Sequence, residues 1–82
     1  MAKSIRLRVL APTGEVFGGE VAKVLLPGSK APFVVLPGHA PIISSLEEGV
    51  VKYTSADGSE GVVEISGGFV EVRDNNIVIC ID

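Results

Sequence analysis

The sequence predicts an all-β protein, a small antiparallel β-sandwich of about ten short strands, with residues 1–82 forming a single domain. Three observations predict it. Turn signals recur along the whole chain, from Pro12-Thr13-Gly14 through Pro27-Gly28, Pro37-Gly38 and Asp57-Gly58 to Asp74-Asn75-Asn76. The segments between them are rich in Val, Ile and Leu, and are either alternating or continuously apolar. No window of useful length repeats its apolar residues with the period of a helix. A chain this short hides only about 60–65% of the surface its unfolded form exposes. A hydrophobic content of 46% is rich for so small a core. The excess is either taken up inside the sandwich or left outside for a partner.

The elements follow in order. Ser4 to Leu10 alternates, with Ile5, Leu7 and Val9 on one face and Arg6 and Arg8 on the other, so it reads as a half-buried strand. Pro12-Thr13-Gly14 turns it. Val16-Phe17 begins a short extended piece that Gly18-Gly19 is expected to break, and Glu20 to Leu26 forms the next strand. Pro27-Gly28 is a type II turn signal. After the loop Ser29-Lys30-Ala31-Pro32, the run Phe33 to Leu36 fits a strand covered on both faces. Pro41 to Leu46 is extended again, and Glu47-Glu48-Gly49 turns. Val50 to Thr54 and Val62 to Ser66 flank the hairpin signal Asp57-Gly58. Gly67-Gly68 allows a sharp change of direction or a bulge. Phe69 to Arg73 and Ile77 to Ile81 flank a second hairpin at Asp74-Asn75-Asn76.

Composition excludes several functions. The net charge is −3 and there is no basic stripe, so no nucleic-acid partner is expected. The one tyrosine and three phenylalanines are scattered and make no base-stacking platform. Cys80, the single cysteine, has no internal disulfide partner, fits a reducing compartment and reads as a small core residue. Met1-Ala2-Lys3 leads into a charged alternating strand, so no signal peptide is expected. No run approaches the roughly 20 apolar residues of a membrane helix, so no direct membrane insertion is expected.

Catalysis needs convergent groups, and the sequence offers few. One histidine and one cysteine do not supply the spacing of a metal site, and no metal or cofactor is expected. There is no nucleophile elbow and no phosphate loop. A set of Ser44, His39 and Asp57 can be drawn, but such sets can be drawn from almost any chain. The protein is therefore not expected to be an enzyme on its own. Lipoyl and biotinyl carrier domains are sandwiches of similar length, but they present a lysine at a hairpin tip. The tips here are Asp57-Gly58 and Asn75-Asn76. A generic adaptor sandwich is the remaining alternative.

One stretch concentrates the local constraints: Leu36-Pro37-Gly38-His39-Ala40-Pro41-Ile42. Each proline fixes φ and pushes the residue before it, Leu36 or Ala40, toward extended conformations. Gly38 supplies the positive φ of a type II turn, and His39 is displayed at that turn. This stretch, followed by Ile65-Ser66-Gly67-Gly68-Phe69-Val70-Glu71-Val72 and preceded by Val16-Phe17-Gly18-Gly19-Glu20-Val21, strongly resembles the ε subunit of F-type ATP synthases, called δ in mitochondria. The resemblance runs from Ile5 to Asp82.

The resemblance implies the N-terminal sandwich of that subunit, in a short form without the family's C-terminal helical domain. It implies a non-catalytic rotor part of the central stalk, which docks the γ subunit to the ring of c subunits and couples ion flow to ATP synthesis in the α3β3 head. It implies a peripheral position on the cytoplasmic side of a bacterial plasma membrane. The γ-facing positions it implies are Ala11, His39, Ala40, Pro41, Ile42 and Ser44, with Ile42 or Ile43 as the apolar anchor. The ring-facing loop maps onto Gly28, Ser29, Lys30, Ala31 and Pro32, where Lys30 and Pro32 replace the acidic residues and glycine of many members.

Overall fold

A computed structural model describes residues 4–82, and the start Met1-Ala2-Lys3 lies outside them. The described residues form nine strands and no helix: β1 (Ile5–Ala11), β2 (Gly14–Val21), β3 (Lys23–Leu26), β4 (Phe33–Val35), β5 (Ile42–Leu46), β6 (Gly49–Thr54), β7 (Glu60–Ile65), β8 (Gly68–Arg73) and β9 (Asn76–Ile81). They make two sheets, a five-stranded one in the order β2-β1-β9-β8-β5 and a four-stranded one in the order β4-β3-β6-β7. The expected sandwich is present. Every strand pair is antiparallel except β1 with β9, which run parallel at the centre of the larger sheet. Hairpin signals specify antiparallel neighbours only between consecutive strands. The first and last strands meet through no turn, so no local signal sets their direction.

The core is wholly aliphatic. Ile5, Leu7 and Val9 of β1 meet Ile77 and Ile79 of β9, Val70 and Val72 of β8, and Val24, Leu26, Val35 and Val51 of the other sheet. No polar or charged side chain is buried among the described residues. Phe17 and Tyr53 close one flank with ring centroids 4.3 Å apart. The Tyr53 ring lies over its cross-strand partner Gly61, where a Cβ would collide with it.

Several expectations are corrected. Gly18-Gly19 does not break the chain: β2 runs through both, paired with Arg8 and Leu7. Gly18 instead leaves room for the Glu15 side chain, which crosses it to reach Arg8 at 3.0 Å. The break falls at Ala22, where the chain passes from the larger sheet to the smaller and Ala22 N–H donates to Thr54 at 2.7 Å. The run Phe33 to Leu36 is not covered on both faces. β4 is an edge strand, and Val34 and Leu36 face outward. Pro27-Gly28 is not a type II turn, since Gly28 lacks a positive φ and its N–H donates to Leu26 two residues back at 3.0 Å. Cys80 is half-buried on the outer face of β9, paired with Phe69 of β8, because its neighbours Ile79 and Ile77 take the inward positions.

Both hairpins form. In the first, Gly58 has φ +90° and its N–H donates to Ser55 at 2.9 Å, while Ser55 N–H donates to Ser59. That is a three-residue loop closed by a left-handed glycine, not the two-residue loop that Asp-Gly often signals. In the second, Asp74 and Asn75 both have positive φ, at 51° and 61°, between paired Arg73 and Asn76. That is a two-residue turn of the primed type, whose twist matches the flanking strands.

Two predictions follow from these local geometries. Gly68 has φ +148°, and a Cβ there would collide with the Cys80 carbonyl. Gly68→Val is expected to cost more than about 3 kcal/mol, lowering the melting temperature by over about 10 °C for a domain this size. In the first hairpin, the Ser59 hydroxyl and then its backbone N–H donate to the Asp57 carboxylate and hold it below its usual titration range. A depressed carboxylate contributes stability above its unfolded pKa and loses it as pH falls through its folded one. Asp57→Ala should therefore melt below the parent at pH 7, with the difference shrinking under acid. A deficit that persists undiminished at low pH would show that the carboxylate charge is not involved.

Candidate functional site

The segment from Leu36 to Pro41 crosses from β4, at the edge of the smaller sheet, to β5, at the edge of the larger one. Gly38 has φ +84°, and His39 N–H donates back to Leu36 at 3.1 Å, which is the expected turn. The turn is tethered from outside. Gly38 N–H donates to the Asn75 side-chain carbonyl at 2.7 Å, and Asn75's own backbone carbonyl accepts from Arg6 at 2.9 Å. Asn75 thus links the tip of the β8–β9 hairpin to the turn and to β1. Nothing in the local pattern marks that role, because its partner lies 37 residues away.

His39 is half-buried, and its ring Nδ1 lies 2.7 Å from the Ala40 carbonyl, which places the neutral ring's proton on Nδ1. Gly38, Ala40 and Pro41 are exposed. On β5 the faces are now assigned. Ile42 and Ser44 turn inward and are half-buried, with Ile42 packed against the core. Ile43 turns outward and is 74% exposed, the most exposed large apolar residue of the described chain. Of the two isoleucines considered as an apolar anchor, the one available at the surface is Ile43.

The loop Gly28 to Pro32 starts from a buried glycine and then opens outward, with Ser29, Lys30, Ala31 and Pro32 all exposed. It is fixed at its base to the far end of β5. Ser29 N–H donates to Ser45 at 3.1 Å, Glu47 N–H donates to Pro27 at 2.8 Å, and the two serine hydroxyls meet at 2.9 Å. Between the loop and β5 lies an open cleft of about 480 Å³, lined by residues from Ser29 to Phe33 and from Ile42 to Ser45. The two stretches singled out in the sequence therefore share one strand and one cleft.

Ala11 stands apart. β1 runs parallel to β9, so Ala11 lies at the end of the sheet aligned with Leu46 and away from the Asn75 tip and His39. It is also three strand spacings from β5, about 14 Å. Ser44, His39 and Asp57 are not gathered either, since Asp57 belongs to the β6–β7 loop of the other sheet and is held by Ser59. Among the described residues no three of His, Cys, Asp or Glu are placed to hold a metal ion.

Asn75→Gly tests the tether directly. Glycine keeps the positive φ and removes only the side-chain acceptor. Stability is expected to fall by about 1 kcal/mol. Hydrogen exchange at Gly38 should accelerate more than at neighbouring amides, and an unchanged Gly38 rate would show that the tether is not what holds the turn.

Comparison with known proteins agrees with this architecture. The family described as ATP synthase, Delta/Epsilon chain, beta-sandwich domain matches residues 4–82. An ATP synthase epsilon chain of Desulfitobacterium hafniense is 46% identical over 82 residues, all of this chain and 61% of that relative. One from Campylobacter fetus is 38% identical over 79 residues, 96% of this chain and again 61% of the relative. The chain thus spans about three-fifths of the length of the curated relatives it matches. Two solved structures share the fold. A chain of the Euglena gracilis mitochondrial ATP synthase, in its OSCP/F1/c-ring structure, superposes with a TM-score of 0.92 at 23% identity over 99% of this chain and 52% of its own. A chain of the Tetrahymena thermophila mitochondrial ATP synthase, from its central stalk/c-ring structure, superposes at 0.78 with 19% identity over 98% and 63%. With its sandwich intact from Ser4 to Asp82 and the whole of its length matched, the chain belongs to the delta/epsilon family of ATP synthase subunits, as that family's β-sandwich domain.

Proposed function

We propose that this domain is a non-catalytic docking piece of the central stalk of an F-type ATP synthase. It holds the γ subunit to the ring of c subunits, so that rotation driven by ion flow reaches the catalytic head. The observation that carries the reading is 46% identity to an epsilon chain across the full 82 residues. The geometry supports it. The turn that contains His39, Ala40 and Pro41 is braced by Asn75, and the loop from Gly28 to Pro32 is braced by β5, so two exposed surfaces are held in a fixed relation.

On this reading His39, Ala40, Pro41 and the outer side of β5 face γ, and Ser29 to Pro32 face the ring. Ile43 replaces Ile42 as the apolar contact, and Ile42 and Ser44 support the strand from beneath. Ala11 belongs to a separate part of any γ contact. Pro32 stiffens the ring-facing loop and lowers the entropy lost on docking. Lys30 seeks an acidic or carbonyl partner. The domain sits peripherally on the cytoplasmic side of a bacterial plasma membrane and needs no cofactor.

The test is binding of the purified chain to the γ subunit of the same source, by calorimetry. A stoichiometric complex is expected. Ala40→Arg should weaken it about tenfold or more, because a long charged side chain replaces a small exposed one at the contact, while the melting temperature stays within about 2 °C. Full-strength binding by the folded variant would remove the turn from the interface. Absence of any complex, with γ alone and with γ on its ring, would reject the stalk reading.

A further inference from the structure

The chain contains one Asp-Gly step, Asp57-Gly58, and no Asn-Gly step. It sits at the tip of the β6–β7 hairpin, where residues 56–60 are all exposed. Such a step carries a reaction that needs no enzyme. The Gly58 backbone nitrogen attacks Asp57 Cγ, a C–N bond forms, and one carboxyl oxygen leaves as water with the amide and carboxyl protons. A second water then opens the five-membered imide. Cleavage at the Asp57 backbone carbonyl leaves the chain running through the side chain as isoaspartate, with one more carbon in the backbone and no net change in mass. Glycine favours the attack because no side chain shields its nitrogen. Here the place a Cβ would occupy has no neighbour within 4 Å.

Crowding at Gly58 therefore does not stop the reaction, but the hydrogen bonds of the loop oppose it. Asp57 Oδ1 accepts from the Ser59 hydroxyl at 2.7 Å and from the Ser59 N–H at 2.9 Å, which commits the carboxylate to the residue beyond Gly58. These bonds also hold it ionised. An ionised carboxylate is a poor target for a nucleophile, because its departing oxygen must leave as water. At the other end, Gly58 N–H donates to the Ser55 carbonyl at 2.9 Å, and Ser55 N–H donates to Ser59 at 2.8 Å. Ring closure has to release both reacting groups from these partners.

We propose that Asp57-Gly58 is the position at which this chain isomerises to isoaspartate, and that Ser59 holds the reaction back for as long as the hairpin is closed. The product is self-reinforcing. The added carbon lengthens a loop that fits three residues, and the free carboxylate moves from the side chain to the main chain, away from Ser59. Asp74 is not an equivalent site, because the side chain of Asn75 shields the nitrogen that would attack. The inference is independent of the stalk reading.

The test compares the folded chain with the isolated peptide 53–73 during incubation at 37 °C and neutral pH. Isoaspartate is counted by methyl transfer from S-adenosylmethionine with an isoaspartyl methyltransferase, and is located by peptide mapping. The folded chain is expected to form it at least about tenfold more slowly than the peptide, since the charge-assisted bonds of the loop must open first. Ser59→Ala should speed the reaction in the folded chain about fivefold or more and leave the peptide rate little changed. Ser59→Thr keeps both donors and should stay as slow as the parent. Equal rates in folded chain and peptide overturn the protection. An unaltered rate in folded Ser59→Ala overturns the role of Ser59. Isoaspartate appearing first at Asp74 overturns the assigned position.

Discussion

The arrangement depends on one corner, where the two sheets are stitched by backbone. Ser29 donates to Ser45 and Glu47 donates to Pro27, on either side of the bridge between Gly28 and Leu46. The segment after β3 is thereby paired with β5, which belongs to the opposite sheet. Approach this close leaves no room for a side chain at Gly28, where a Cβ would lie 2.5 Å from the Ala31 carbonyl and 2.9 Å from the Phe33 ring. Glycine is required here for space, not for an unusual φ. The rest of the surface follows from that pairing. The chain must leave the corner outward, which exposes Lys30 to Pro32. It must then return to the smaller sheet at Phe33, which makes β4 short and places it at an edge. Half of β5 is occupied and the other half is open.

Much of the fold was legible in the sequence, for identifiable reasons. The alternation of Ile5, Leu7 and Val9 against Arg6 and Arg8 survives because β1 is covered on one face only. The turn at Pro37-Gly38 and both hairpins were readable because each is set by residues adjacent in the chain. The features that were not legible all depend on partners distant in sequence. Gly18-Gly19 stays in β2 because β1 supplies a ladder along its whole length, overriding the weak strand preference of glycine. Ala22 divides what reads as one strand because the core of each sheet claims one side of it. The parity that sends Ile42 inward and Ile43 outward is fixed by pairing with β8, and neither residue announces it. Asn75 reads as a turn residue, which it is. Its second role, as acceptor for Gly38, appears only once the hairpin tip and the crossing segment are brought together.

The candidate site was legible in composition and not in geometry. The turn around His39 and the loop from Gly28 to Pro32, which the family resemblance singled out, are both present at the surface, with Ala11 apart from them. Their relation to each other came from the structure. They occupy the two ends of β5, a strand that rises about 14 Å from Ile42 to Leu46. One end is held by the Asn75 tether and the other by the Gly28 corner. A load on either surface is therefore carried along a laddered strand, with no flexible linker between.

The core supports the same conclusion from within. It contains aliphatic side chains and no buried polar or charged one among the described residues. A closely packed aliphatic core resists gradual deformation, and a switching core generally has a second packing or a polar network with two arrangements. Here the polar interactions are confined to turns, edges and exposed ion pairs such as Arg8 with Glu15. Exposed pairs of that kind contribute little to stability and are screened by salt. The relation between the two surfaces is therefore set by packing and backbone pairing, which salt leaves in place. For the docking role proposed above, that is the relevant property. On that proposal the specificity of docking rests with the few exposed groups at the ends of β5, while the sandwich keeps them at a constant separation.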